Sequence, residues 1–232
     1  MLILAFDTAT PAVTAAVHDG SRVLARKSAV DARRHGELLA PAISAVLRAA
    51  GAEPADLTSI AVGTGPGPYT GLRAGLVTAQ VLGSTLGIAV DGICTLDIMA
   101  RQARAGAAGR EFIVATDARR GELYWARYSP EGERLTGPDV SLPAGLPAGY
   151  PAAGEGPLRY QGRADGGLDW ASEPIDPRYP DAAILAALCA ERINLGISPA
   201  QPIPLYLRRP DAREPGPPKR VTPVASGERV RR

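Results

Sequence analysis

The 232-residue chain has few of the residues from which disulfides, thiolate metal sites and membrane spans are built. Its two cysteines, Cys94 and Cys189, are far apart and form no CxxC pair, which argues against a disulfide framework and a thiolate metal site. The start, MLILAFDTAT, lacks a basic n-region, and no apolar run approaches the roughly 20 residues that a membrane span needs. We therefore expect a cytoplasmic protein that is neither exported nor inserted into a membrane.

Histidine is equally scarce, and neither histidine lies in a catalytic motif. His18 ends a predicted strand, where we expect it to be exposed, and His35 precedes the first predicted helix. A metal pair on that helix would need a second ligand at position 38 or 39, and both positions are leucine. Because no GxSxG, HExxH or EF-hand spacing occurs either, we expect no metal, no cofactor and no catalytic residue.

Positive charge is also missing from most of the chain. Residues 208–232 hold eight Lys or Arg against three acids, a charge of +5. Because the net charge of the whole chain is +2, residues 1–207 carry about −3. The body therefore has no general nucleic-acid footprint. Residues 210–232 are rich in Pro and Gly, and we expect a disordered basic tail that either aids solubility or touches RNA weakly.

Apolar runs give the order of the elements. Residues 2–6, 12–18 and 22–30 predict a three-stranded antiparallel meander, after which helices at 36–51, 69–87 and 95–106 alternate with strands at 59–63 and 87–93. This order predicts an α/β domain with a mixed sheet over residues 1–108. Residues 109–209 begin again with a hairpin at 111–117 and 122–129, loosen from Gly137 to Pro180, and regain a helix at 181–196. They predict a second, reduced copy of the same unit.

The segment GTGPGPYTG at 63–71 follows a strand and opens a helix, as a phosphate-binding loop would. Pro66 and Pro68 have no N–H to offer an anion, and no GK[ST] follows. We therefore interpret the segment as a rigid connector that fixes the angle of the next helix. Two other glycine pairs, at 154–156 and 166–167, do not precede a clear helix in the sequence, so we expect at most weak nucleotide binding.

The helix after this loop carries small residues at a spacing of four, namely Gly71, Gly75, Ala79 and Gly83. Glycine inside a helix costs roughly 1 kcal/mol relative to alanine, so the ladder needs a compensating contact. Small residues let two helix backbones approach closely. The contact is either internal, with the first helix, or with a partner subunit in a four-helix bundle, and both can hold.

Two acidic hairpins are the remaining candidates for chemistry. Asp7 lies between two strands, beside Thr8 and Thr10, whose hydroxyls could face a phosphate, and Asp117 followed by Arg119 holds the matching position in the second half. Two such hairpins facing a cleft are the phosphate-handling parts of the actin, sugar-kinase and heat-shock ATPase fold. An Asp that caps its own turn explains each one singly.

The blocks FDTATPAVTAAV, RRHGELLAPAI, AVGTGPGPYTGLRAGLVTAQVLG, TDARRGELYWARY and PLYLR, in this order and spacing, resemble the TsaB (YeaZ) family. The resemblance covers residues 1 to about 209 and leaves out the tail. It implies a duplicated actin-like ATPase (ASKHA, ribonuclease H-like) fold and a non-catalytic paralogue of TsaD. It also implies that the nucleotide cleft formed by Asp7, Thr8, Thr10, Asp117 and Arg119 is vestigial.

The function that the resemblance implies is support for synthesis of N6-threonylcarbamoyladenosine at position 37 of tRNAs that read ANN codons. TsaD transfers the threonylcarbamoyl group, this family binds TsaD as a heterodimer, TsaE joins a larger complex, and tRNA is met indirectly. Whether the chain is a homodimer or a monomer without TsaD stays open, since a face built for a paralogous partner also allows self-association. The alternatives are an ATPase or kinase that uses Asp7 and Asp117, and a glycoprotease-like peptidase.

The family's partner interface uses the first two helices, and the catalytic sibling's metal-binding histidine pair has no counterpart in His35 and Leu39. The resemblance therefore implies an interface made by His35, Leu39, Ala42, Ile43, Val46, Gly71, Leu72, Gly75, Leu76, Ala79 and Gly83. On this basis Gly71→Leu or Gly75→Leu is expected to weaken TsaD binding while leaving the fold mostly intact.

Overall fold

A computed structural model of the chain describes residues 1–161 and 174–208. The glycine pair at 166–167 and the basic tail at 210–232 lie outside the described residues. The order of elements along the rest of the chain follows the predicted meander and alternation.

The first half forms a five-stranded sheet in the order β3-β2-β1-β4-β5. β1, β2 and β3 are antiparallel neighbours, whereas β1, β4 and β5 are parallel. Parallel neighbours need helical crossovers, and the alternating part of the sequence supplies them. The strands are β1 (Ile3–Asp7), β2 (Ala12–His18), β3 (Val23–Val30), β4 (Ser59–Gly63) and β5 (Ala89–Ile93).

Helices cover both faces of this sheet, which is why β1, β2 and β4 are buried throughout. Leu4 and Phe6 of β1 point into a core shared with α1 and α2, whereas Ile3 and Ala5 point into a core shared with α5. α3 packs between α5 and the second sheet. The helices are α1 (His35–Ala50), α2 (Tyr69–Leu86), α3 (Thr95–Ala103) and α5 (Ala182–Asn194).

The second half repeats the order of the first four strands as β8-β7-β6-β9, with β9 parallel to β6. A single 3-10 turn, Pro143–Gly145, stands where the first half has α1, and the helix after the fourth strand, α4 (Glu155–Tyr160), has six residues instead of 18. The predicted duplicated fold with a reduced second half is thus confirmed. The strands are β6 (Phe112–Asp117), β7 (Leu123–Tyr128), β8 (Arg134–Ser141) and β9 (Ala152–Ala153).

Three details differ from the prediction. β8 is a strand of eight residues in the region expected to loosen from Gly137. No helix was expected at the glycine pair 154–156, but α4 begins there. Gly154, at a φ of 108°, turns the chain immediately before the helix. α5 belongs to the second half in sequence but packs on β1 and β2 of the first sheet, so the expected boundary at residue 108 separates the sheets and not the helices.

Candidate functional site

Asp7, at the end of β1, is enclosed by the chain's own donors. It is fully buried, and its carboxylate accepts hydrogen bonds from the Ala9 N–H (2.8 Å) and the Thr95 hydroxyl (2.6 Å). Gly63, at the end of β4, lies so close that a Cβ at this position would overlap Oδ2 of Asp7. Asp7 therefore has two internal partners and backbone packed against it, an arrangement that leaves little space for a phosphate.

Thr8 and Thr10 also use their hydroxyls inside the chain. Thr8 Oγ1 donates to the carbonyl of Gly71 (2.7 Å) and accepts from the N–H of Gly75 (3.1 Å), so it bridges one turn of α2. Thr10 Oγ1 accepts from the N–H of Ala12 (3.3 Å). This corrects the expectation that the two hydroxyls face a phosphate, and it shows that the β1–β2 turn is fastened to α2.

The two histidines are hydrogen-bonded to the backbone. Nε2 of His35 lies 2.7 Å from the carbonyl oxygen of Thr10, which can only accept, so this nitrogen donates. Nδ1 of His18 accepts from the N–H of Gly20 (2.9 Å). His18 is only 5% exposed, which corrects the expectation of an exposed edge position.

Two N–H groups of the loop at 63–68 are used within the fold. The N–H of Thr64 donates to Ile93 (2.9 Å) and that of Gly65 to the Thr95 hydroxyl (3.2 Å), while Pro66 and Pro68 have no N–H. The carbonyl of Thr64 in turn accepts from Leu205 (2.9 Å) in the C-terminal segment. These contacts agree with a structural connector and not with a phosphate cradle.

Asp117, at the matching position of the second half, is likewise occupied. Its side chain is 3% exposed and forms an ion pair with Arg159 (3.0 Å). Its Oδ1 accepts from the backbone N–H of Arg119 (3.0 Å) and from the Tyr160 hydroxyl (3.3 Å), and the Arg119 guanidinium lies 3.9 Å from Oδ2. Arg159 therefore supplies, from α4, the positive charge that a bound cation would supply to this acid.

A pH titration tests whether Asp7 is enclosed inside the folded chain. Burial raises its pKa above the ordinary 3.8, although hydrogen bonds from Thr95 and Ala9 oppose the shift. A raised folded pKa contributes stability that is full below the unfolded pKa and is lost as the pH rises through the folded pKa. We therefore expect the free energy of unfolding of the wild type, measured by urea denaturation, to fall relative to that of Asp7→Asn as the pH rises above about 4.

Asp19→Asn is the control with the opposite sign. Hydrogen bonds from Ser21 and Arg22 lower the pKa of Asp19, which lies at the surface. Its contribution is present above the unfolded pKa and is lost as the pH falls, so the wild type should gain stability over this variant with rising pH. If the stability difference between the wild type and each variant changed with pH in the same direction for both variants, Asp7 would not be enclosed as described.

The eleven residues expected at a partner interface are all buried inside this chain, and the eight that are not glycine are each 8% exposed or less. The glycine ladder faces inward because other elements lie against it. A Cβ at Gly75 would be 2.5 Å from Thr8 Oγ1, one at Gly71 would be 2.7 Å from the Thr8 carbonyl, and one at Gly83 would overlap Val90 of β5. The ladder is thus explained by internal contacts, and a leucine at Gly71 or Gly75 is expected to damage the fold, contrary to the expectation from sequence.

The opposite face of α2 is exposed and partly apolar. Tyr69, Val77 and Val81 are 55%, 54% and 58% exposed, and with Arg73 they form what we call the outer stripe. The Arg73 guanidinium lies 4.7 Å from the centre of the Tyr69 ring. Residues two positions apart on a helix point about 200° apart. Because each residue of the outer stripe lies two positions from a member of the glycine ladder, the outer stripe lies on the opposite side of α2.

α1 packs beside α2 and exposes small residues of its own, namely Gly36, Ala40 and Ser44. They repeat at a spacing of four, so they share one face of α1. Tyr206 of the C-terminal segment stacks on Tyr69 at 5.6 Å between ring centres and extends the apolar end of the surface. The sequence signal for the outer stripe, an apolar or aromatic residue at 69, 77 and 81, was present but was overlooked beside the glycines.

Neither a clustered metal site nor a membrane-spanning helix occurs in residues 1–161 and 174–208. In that part of the chain, no group of three or more His, Cys, Asp or Glu side chains is arranged to hold a metal ion. None of the helices described there combines the length and apolar character required to cross a bilayer.

Comparison with known proteins gives a consistent set of matches. A family model described as TsaD, tRNA N6-adenosine threonylcarbamoyltransferase, matches residues 23–164. The chain is 44% identical over 214 residues to an uncharacterised protein of Mycobacterium tuberculosis, covering 91% of this chain and 93% of that protein. It is 36% identical over 128 residues to the tRNA threonylcarbamoyladenosine biosynthesis protein TsaB of Escherichia coli, and this alignment spans 55% of each protein.

A solved structure described as YeaZ from Pseudomonas aeruginosa superimposes with a TM-score of 0.71 at 26% identity. The superposition covers 89% of this chain and 99% of that one. A second structure from the same organism, described as similar to peptidase YEAZ, has a TM-score of 0.72 at 27% identity with the same coverage. The likeness therefore extends over both halves of the fold.

Proposed function

The chain belongs to the TsaB/YeaZ family, and on that basis we propose that it is the non-catalytic scaffold subunit of a tRNA N6-threonylcarbamoyladenosine synthesis complex. Its relatives place it in threonylcarbamoyladenosine biosynthesis. The finer proposal is that it binds TsaD and so supports transfer of the threonylcarbamoyl group to adenosine 37 of tRNAs that read ANN codons.

The outer stripe is the observation that carries the proposal. Tyr69, Val77 and Val81 expose apolar area along one face of α2. The exposed residues Gly36, Ala40 and Ser44 of α1 are small enough to let a second pair of helices approach closely. Two helices from a paralogous subunit would complete a four-helix bundle. The interface that we propose therefore uses the outward faces of α1 and α2, in place of the buried residues expected from sequence.

An ATPase or kinase of the actin-like superfamily is the second candidate. It would need Asp7 or Asp117 to receive a phosphate or its cation. Asp7 is enclosed by Ala9, Thr95 and Gly63, and Asp117 is paired with Arg159, so neither acid is available without rearrangement. These contacts support a vestigial cleft.

A peptidase activity is the third candidate, and the thiols offer it little support. Burial raises the pKa of Cys94 to about 12 and that of Cys189 to about 11, so both thiols are protonated near neutral pH. His35 and His18 are hydrogen-bonded to backbone groups. Their described partners thus do not include a serine or a cysteine that a histidine base could activate.

The proposal also covers how the complex assembles and where in the cell it acts. We propose that TsaE joins the complex of this chain with TsaD, that tRNA is met mainly through TsaD, and that the complex acts in the cytoplasm. We also propose that the outer stripe allows a homodimer when TsaD is absent, because a face suited to a paralogue also suits a second copy.

Size-exclusion chromatography with light scattering, on this chain alone and mixed with TsaD of the same organism, tests the proposal. A new heterodimer that restores tRNA threonylcarbamoylation in the presence of TsaE and threonylcarbamoyl-adenylate would support the scaffold role. Turnover of ATP by the isolated chain, together with no complex, would replace it with the kinase candidate.

A further inference from the structure

The hairpin that joins β6 to β7 has an unusual backbone for its sequence. Arg119, Arg120 and Gly121 have φ angles of 65°, 56° and 78°, so three successive residues occupy the left-handed region. The turn is closed by hydrogen bonds from Ala118 to Glu122 (2.9 Å) and from Glu122 to Arg119 (3.0 Å). We call residues 118–121 the arginine hairpin.

Two of these three positions would ordinarily hold asparagine or glycine. A side chain with a Cβ is disfavoured in the left-handed region, and tight hairpins therefore select Asn-Gly or Asp-Gly. Arg119 and Arg120 have no such advantage in the backbone. Their presence at a strained turn indicates that the guanidinium groups, and not the turn, account for the residue types.

Further arginines surround the hairpin. The Arg208 side chain donates to the carbonyl of Arg119 (3.4 Å) and pairs with Glu122, and the Arg159 guanidinium lies 3.0 Å from Asp117 beneath the turn. Arg178 is exposed nearby, beside Tyr179, whose hydroxyl donates to Glu155 (3.0 Å).

Two of the acids in this cluster lie deeper than the arginines beside them, whereas the third, Glu122, is 31% exposed and pairs with Arg208. Asp117 and Glu155 are 6% and 7% exposed, whereas the side chains of Arg119 and Arg159 are each 51% exposed. The buried carboxylate of Asp117 holds the guanidinium groups of Arg159 and Arg119, which are half exposed and present positive charge at the surface. Arginine binds phosphate oxygens with two parallel hydrogen bonds and is weakly hydrated, so a fixed set of guanidinium groups suits a phosphodiester backbone.

We propose that the arginine hairpin, with Arg159 and Arg178 beside it, binds the phosphate backbone of a folded RNA. Arg119 and Arg120 are exposed on the turn, whereas Arg159 lies on α4 and Arg178 in a separate segment. This spread suits an extended polyanion better than a small ligand. The choice of RNA among polyanions rests on the proposed function, but the site itself is independent of TsaD binding. The residues that follow Arg208 hold seven Lys or Arg and three acids in sequence, and we do not include them in the proposed site.

Fluorescence anisotropy of a labelled, unmodified tRNA transcript with the full chain, without TsaD, tests this site between about 50 and about 200 mM KCl. The variant is Arg119→Asn with Arg120→Gly, which gives the turn the residues that its backbone favours. We expect affinity to fall about tenfold at the lower salt concentration and the slope of log K against log salt to become shallower by about 2. The melting temperature should stay equal or rise, because the strain is relieved.

Two matched variants remove the same charge elsewhere. Arg104→Ala with Arg110→Ala changes two exposed arginines beyond the other end of β6, and Lys219→Ala with Arg220→Ala changes the C-terminal tail. Both should bind tRNA within about twofold of the wild type. Equal losses in all three variants, a loss confined to the tail variant, or no measurable binding by the wild type would each overturn the proposal, and none of these results would bear on the complex with TsaD.

Discussion

A chain carrying Val77→Glu and Val81→Glu is expected to bind TsaD at least about a hundredfold more weakly while keeping its fold. Both valines are more than half exposed on α2, so the glutamates meet solvent in the free chain. Glutamate is also a better helix former than valine. In the complex, two unpaired carboxylates would be buried at the centre of an apolar contact, which is strongly unfavourable.

Val30→Glu is the matched control, because Val30 is 60% exposed on the edge strand β3 and lies outside the outer stripe. It should leave both the affinity and the threonylcarbamoylation of tRNA by the reconstituted complex unchanged. Isothermal titration of TsaD measures the affinities, and circular dichroism verifies the fold. Full affinity in the double variant would show that TsaD does not use the outward face of α2.

Gly67→Ala should cost about 3 kcal/mol or more in the free energy of unfolding. A Cβ at this position would overlap the carbonyl oxygen of Ala9, and the next nearest atoms are also backbone atoms of Ala9. No side chain can rotate away, so the loop or the β1–β2 turn would have to move. Because this turn carries Asp7 and Thr8, a movement would also strain the contacts of Thr8 with α2.

Gly36→Ala is the comparison for Gly67→Ala. Gly36 lies in the first turn of α1, nothing lies within 4 Å of the position that a Cβ would take, and alanine favours the helix. It should be neutral or stabilising by up to about 1 kcal/mol in the same urea titration. If Gly67→Ala were equally harmless, the close approach of the loop to the β1–β2 turn would be wrong.

Much of the fold could be predicted from local pattern. The antiparallel meander, the three helices α1 to α3 and the restarted hairpin at 111–129 each depend on periodicity and turn residues a few positions apart. β8 and α4 were missed for the same reason. β8 contains Gly137 and Pro138, which usually mark loops, and α4 is too short to show a helical period, so pairing with β7 and packing on β6 decide their structure.

The candidate site depended far more on contacts between distant residues. The glycine ladder was correctly identified as a packing face, but Thr8, more than 60 residues away, supplies the contact at Gly71 and Gly75. The sequence marks Asp7 as a candidate functional acid. Its carboxylate is enclosed by Thr95 and Gly63, which lie far from it in sequence. No spacing within a short segment contains that information.

The sequence by itself determined the order of elements, the duplicated α/β architecture and the family, because local periodicity and a long specific block of residues carry them. Only the tertiary structure decided which ladder of α2 faces outward and whether the two acids are open or occupied. Periodicity gives the angle between two side chains on one helix but not the direction of either one. That direction is set by the sheet, the β1–β2 turn and α1, because α2 buries its glycine ladder against them.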